Sequence, residues 1–132
     1  MSARLTLKLP SGEIECDILE TRAAEGLIGQ LPVSARGNVW GEEIYFRLPG
    51  ALNAGSKTRE TEVGDIAYWE EGQSLCIFFG PTPVSRSGRP EPYVPVFRIG
   101  SLEPTGRALA ILRSFEQGQV IALYRSSQAG TG

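Results

Sequence analysis

Glu43-Ile44-Tyr45-Phe46-Arg47-Leu48 alternates polar and apolar side chains with a period of two. Successive side chains of an extended chain point to opposite faces, so this run reads as a strand with Ile44, Phe46 and Leu48 on its core face. The same period recurs upstream. Leu5, Leu7 and Leu9 alternate with Arg4, Thr6 and Lys8, and Ile14, Cys16 and Ile18 with Glu13, Glu15 and Asp17, the two runs meeting across a Pro10-Ser11-Gly12 hairpin turn. Val33 to Val39, Ile66 to Trp69, Phe97 to Leu102, and Val120, Ala122 and Tyr124 mark further short strands. Leu75-Cys76-Ile77-Phe78-Phe79 is apolar at every position, which predicts a central strand covered on both faces.

Two helical stripes interrupt the strands. Ala23, Ala24, Leu27, Ile28 and Leu31 recur at helix spacing before Pro32, weakened by Gly26 and Gly29; Ala108, Leu109, Ile111, Leu112 and Phe115 mark a second helix between Thr105 and Phe115. Pro49 to Glu62 reads as a loop. Gly80 to Pro95 carries prolines at 81, 83, 90, 92 and 95, each removing a ladder donor, so it reads as a long irregular segment of the kind that often bears function. Seven or eight short strands at regular spacing predict a mainly β domain, a closed barrel or a sandwich, over residues 1–125, followed by a polar tail at 126–132.

At 132 residues the chain has the length of one domain that needs neither metal nor disulfide to stabilise its core. Its net charge of −2 comes from interspersed acids and bases, which argues against a nucleic-acid partner. All basic residues but Lys8 and Lys57 are arginine. The N-terminus lacks the apolar core of a signal peptide, and no run approaches the ~20 apolar residues of a membrane span, so a cytoplasmic location without membrane contact is expected. The chain contains no histidine, which removes Ser-His-Asp and Cys-His arrangements and every His-containing metal site. Cys16 and Cys76 read as buried thiols, too few for a thiolate zinc site. No metal and no cofactor is expected.

Asn38-Val-Trp-Gly-Glu-Glu-Ile-Tyr-Phe46, Gly64-Asp-Ile-Ala-Tyr-Trp69 and Leu75-Cys-Ile-Phe-Phe-Gly-Pro-Thr-Pro83 resemble, in order and spacing, three blocks of the small prokaryotic, bacterial-type cyclophilin-like proteins. The resemblance extends over nearly the whole chain. It implies a closed eight-stranded β-barrel with a short helix over each open end, and it brings no assigned reaction. Related barrels occur in subunits of amide-processing enzymes such as allophanate hydrolase. True cyclophilins catalyse prolyl isomerisation with an Arg, a Gln, aromatics and a His or Trp in a shallow groove; this chain lacks the His and any motif setting an Arg beside the aromatic strand, so isomerase activity is not expected.

The aromatic side chains concentrate between Trp40 and Tyr93. Most serve a barrel core, Phe46 among them, but Trp40, Tyr45, Tyr68 and Trp69 adjoin charged or turn residues and are candidates for an aromatic-lined pocket, with Phe79 beside them. Glu42 shares sequence parity with Trp40, Ile44 and Phe46, which predicts an inward carboxylate that backbone donors of the Trp40-Gly41 turn or of Gly80-Pro81-Thr82-Pro83 must satisfy, or else an acid with a raised pKa. Glu43, on the opposite parity, reads as surface. Thr82, fixed between two prolines, completes the candidate set, and Arg86 and Arg89 read as flexible surface charges. The expected function is binding of a small polar molecule or short peptide, with amide or carbonyl chemistry as the alternative and prolyl isomerisation as a weaker one. Catalytic residues, ligand identity and oligomeric state stay open, from a monomer or homodimer to a subunit of a larger assembly.

Overall fold

A computed structural model describes residues 3–53 and 55–126. Its strands are β1 (Ala3–Leu9), β2 (Gly12–Ile18), β3 (Val33–Arg36), β4 (Asn38–Trp40), β5 (Glu43–Arg47), β6 (Asp65–Trp69), β7 (Ser74–Phe78), β8 (Phe97–Leu102) and β9 (Val120–Arg125). The helices are α1 (Arg22–Ile28) and α2 (Gly106–Arg113). Each neighbouring pair in the sheet order β3-β9-β1-β2-β8-β6-β7-β5-β4 is antiparallel.

The two ends of that order are consecutive pieces of one run, Val33 to Trp40, interrupted at Gly37. Its first half pairs with β9 and its second with β5, so this run closes the sheet into a barrel. Nine strands therefore fill eight positions around the barrel, and the expected count of eight differs only by the break. At Gly37 the chain steps from one partner to the other, its N–H donating to the Gln119 carbonyl and its own carbonyl accepting from Gly118.

Sequence parity places the core as expected on β1, β2 and β5, but on β9 the residues that marked the strand, Val120, Ala122 and Tyr124, lie on the outer parity. Ile44 and Phe46 of β5 stand opposite Ile77 and Leu75 of β7, which stand opposite Ile66 and Tyr68 of β6, all facing inward. On β9 the inward residues are Ile121 and Leu123, while Val120 is exposed. Both cysteines are buried free thiols. A void inside the barrel, among Leu7, Cys16, Phe46, Ile77 and Leu123, has a volume of only about 10 Å³. That is at the lower limit for one water molecule, so this void admits no ligand.

The helices occupy opposite ends of the β1–β2 hairpin. α2 seats Ile111 beside Gly12 at the turn, and Ser114 at its end bonds Ser11. α1 begins just beyond the other end of β2, capped by the Thr21 hydroxyl, which accepts from the Ala24 N–H. It stops at Ile28 on a Gly29 cap, one turn before Leu31 and Pro32. α2 is capped likewise by Thr105, and its buried stripe is Ala108, Ile111 and Leu112.

A Cβ at Gly37 would lie 2.7 Å from both Ile121 Cδ1 and Phe115 Cζ. Overpacking of a filled core costs about 1–3 kcal/mol. Gly37→Ala should lower the urea-unfolding free energy by that amount. Gly106→Ala, at the first turn of α2 where an added methyl meets no atom within 4 Å, should leave it unchanged or raise it by up to about 0.5 kcal/mol. Equal losses at both positions would contradict a tightly packed seam.

Candidate functional site

The outer face of the β5–β7–β6 sheet carries Tyr45, Cys76, Phe78, Ala67 and Trp69, a second apolar cluster distinct from the barrel core. An apolar outer face cannot stay in water without loss, and the chain covers it with its own proline-rich segment, residues 80–96. Several bonds hold that cover in place. The buried Thr82 hydroxyl donates to the Glu91 carbonyl at 2.6 Å, and the Thr82 N–H donates to Ser85 Oγ at 2.9 Å. The Arg86 N–H donates to the Glu91 carboxylate at 2.7 Å. Thr61 donates to the Pro90 carbonyl, Arg89 pairs with Glu62 at 2.7 Å, and Val96 bridges Thr58 through both backbone bonds.

The cover does not seal the face. It leaves a cavity of about 500 Å³ floored by Glu43, Tyr45, Trp69, Cys76 and Phe78 and walled by Trp40, Pro83, Val84, Pro92, Tyr93, Val94 and Val96. Two edge-to-face ring pairs frame it: Trp40 with Tyr93 at 6.1 Å between centroids, and Tyr45 with Trp69 at 5.8 Å. Tyr93 is 69% exposed and stands at the rim. A wider hollow of about 860 Å³ between the Lys8-Leu9-Pro10 corner and residues 116–120 has no aromatic side chain and no buried charge in its lining.

Trp40, Tyr45 and Trp69 thus meet in one cavity, as three of the seven expected site residues. The others lie elsewhere. Tyr68 and Phe79 belong to the barrel core, where the Tyr68 hydroxyl accepts from the Leu52 N–H at 3.3 Å. Thr82 anchors the covering segment. Glu42 does not point inward: it sits at the β4–β5 hairpin tip and pairs with Arg113 of α2 at 3.1 Å. Its carboxylate lies close against Gly80, where an added Cβ would meet it.

The turn explains the exchange of roles between the two glutamates. Trp40 and Glu43 face each other across a two-residue hairpin whose first central residue, Gly41, has φ +59°, as primed hairpin turns require. Cross-strand partners share a face, so Glu43 joins Trp40 on the outer side and parity cannot be carried through the turn from Ile44 to Trp40. A Cβ at Gly41 would also lie 2.6 Å from Pro83 Cδ; the tip is locked to the cover by the Glu42 N–H donating to the Pro81 carbonyl at 2.9 Å.

Glu43, expected at the surface, is only 6% exposed. Burial raises its pKa to about 7, offset in part by the Cys76 thiol, its diagonal neighbour on β7. Burial and the facing Glu43 charge push the Cys76 thiol well above its ordinary value, so it is no ready nucleophile. Among the described residues, no group of three or more acidic or cysteine side chains is placed to hold a metal ion.

Glu43 ionises near 4.5 when unfolded and near 7 when folded, so across that window the folded state binds more protons and stability falls as pH rises. The full effect is on the order of 3 kcal/mol. Glu43→Gln cannot ionise. It should match the wild type within about 1 kcal/mol near pH 4.5 and exceed it by about 2 kcal/mol or more near pH 8, in paired thermal melts. A variant less stable at both pH values would remove the case for a buried, uncompensated carboxyl.

A solved structure similar to this chain is the solution structure of a hypothetical protein from Archaeoglobus fulgidus, at 28% identity and TM-score 0.79 over 95% of each chain. No curated protein matches the sequence. No helix among the described residues is long and apolar enough to cross a membrane. The model of the cyclophilin-like family matches residues 3–123, nearly the whole barrel, and this chain belongs to the cyclophilin-like family.

Proposed function

We propose that this protein is a binding module whose ligand sits on the outer barrel face, beneath the 80–96 segment. The observation that carries the reading is the cavity itself. Its volume of about 500 Å³ falls within the range of small-molecule sites, and every lining side chain except Glu43 is aromatic, aliphatic, a proline or a thiol. Such a lining favours a compact molecule with an apolar body and one polar group over a highly polar one. The interior void of only about 10 Å³ among the core side chains supports the same placement.

A second reading, amide or carbonyl chemistry, is favoured by one feature: a carboxyl that exchanges its proton near neutrality is suited to general acid–base work. It lacks a second carboxyl or a basic side chain in the cavity to act with it, so we place it behind binding. Prolyl isomerisation has less support, because no Arg lines the pocket among the described residues. A protease-coupled proline-peptide assay should show no acceleration above background.

Binding is tested with 2-phenylethanol, a neutral aromatic probe, in amide NMR titrations. Shifts should cluster on β5, β7 and residues 83–96 and saturate in the millimolar range. Tyr93→Ala, at an exposed rim position that the fold does not depend on, should weaken binding about threefold to tenfold by removing one ring contact. Shifts scattered over the barrel, or none, would reject the pocket.

A further inference from the structure

We infer that the ligand of this pocket is a small organic cation, a protonated amine on an aromatic or alicyclic body, with Glu43 as its counter-ion. The inference rests on the binding reading above and names its ligand class. Five rings, those of Trp40, Tyr45, Trp69, Phe78 and Tyr93, line the cavity, and a single acidic side chain lies buried at its base. Among the described lining residues there is no Lys or Arg to compensate that acid, and each other charge near the hairpin is already committed elsewhere: Glu42 to Arg113, Arg89 to Glu62. Aromatic faces attract a cation through their quadrupole, and the attraction grows when water is excluded. A buried carboxylate facing the same space adds a charge-assisted hydrogen bond to an ammonium N–H. A neutral ligand would gain from the rings but would leave Glu43 to hold its proton. An anion would meet the carboxylate with no cationic side chain in the lining to offset it.

The arrangement also fixes the pH response. The titratable groups facing the ligand are Glu43 of β5, the Tyr45 hydroxyl beside it, the Cys76 thiol of β7 and the Tyr93 hydroxyl of the cover. Of these, Glu43 changes charge near neutrality. An ammonium must therefore displace the Glu43 proton below about pH 7, and its affinity should fall as pH drops, approaching tenfold per unit well below that value.

The test compares phenethylamine, 2-phenylethanol and 3-phenylpropionate, matched in body and differing in charge. The reporters are tryptophan emission, since Trp40 and Trp69 are the chain's two tryptophans and both line the cavity, and amide NMR shifts. Near pH 7.5 phenethylamine should bind about tenfold or more tightly than the alcohol, and the carboxylate should not bind. Glu43→Gln should reduce the amine's advantage over the alcohol to about threefold or less, and a wild-type-like dispersed amide spectrum shows that the variant is folded. Amine affinity should fall between about pH 7 and pH 5, with the alcohol's constant. If the alcohol binds as well as the amine, or the amine's advantage survives Glu43→Gln, the cation assignment is overturned and the pocket reading stands. If none of the three perturbs the cavity, both fail.

Discussion

Apolar burial on both faces of β7 is the constraint on which the rest of this structure depends. Leu75 and Ile77 fill the barrel, while Cys76 and Phe78 point outward, and all four are essentially inaccessible to water. A barrel strand needs only its inner face covered. The second face must be covered by something outside the barrel, and residues 80–96 are the segment that emerges directly from β7 and returns to β8. Its prolines remove the N–H groups that would otherwise seek a ladder, so it lies over the sheet as a stiff strap without becoming another strand. Stiffness has a consequence: a strap that cannot collapse onto Phe78 and Tyr45 leaves the cavity beneath it.

The strap and the β4–β5 hairpin support each other. The Phe79 N–H donates to the Glu42 carbonyl and the Glu42 N–H donates to the Pro81 carbonyl, each at 2.9 Å, so the chain leaving β7 is bonded to the hairpin tip on both sides. Arg113 then ties the tip to α2 through Glu42. The pair Glu42-Glu43 thus divides its labour by a single turn. One carboxylate satisfies an exposed ion pair that locks the scaffold, and the other is turned under the strap.

Much of this was legible in the sequence, and what was not has a common cause. Strict alternation in β1, β2 and β5 gave the inward sets correctly, because side-chain direction within a strand is a local property. The all-apolar run Leu75–Phe79 announced a doubly covered strand, and Trp40, Tyr45 and Trp69 were legible as aromatics beside polar or turn residues. Glu42 and Glu43 were misassigned because parity was carried across Gly41, where the chain reverses and restarts its count. The pairing Trp40↔Glu43 that follows from a two-residue turn was the available signal. Tyr93, Pro83, Val84 and Val94 carry no periodic mark at all. Their place in the site is set by where a non-repeating strap crosses a distant sheet, which no local pattern encodes.

The position of Glu43 bears on the proposed binding role of the cavity. A leucine or methionine there would continue the apolar floor formed by Phe78 and Tyr45 and would avoid the cost of burying a group that water stabilises. The scaffold supplies little in return: the Cys76 thiol is a weak donor, and the bonds that organise the strap go to Thr82, Ser85 and Glu91. Nor does Glu43 hold the hairpin, since Glu42 and Gly41 do so through the backbone and Arg113. A carboxyl that neither packs well nor locks the fold contributes most when something enters the cavity and completes its charge. On the binding reading proposed above, strap, turn and rings form one device, set around a single acid with room for the partner that satisfies it.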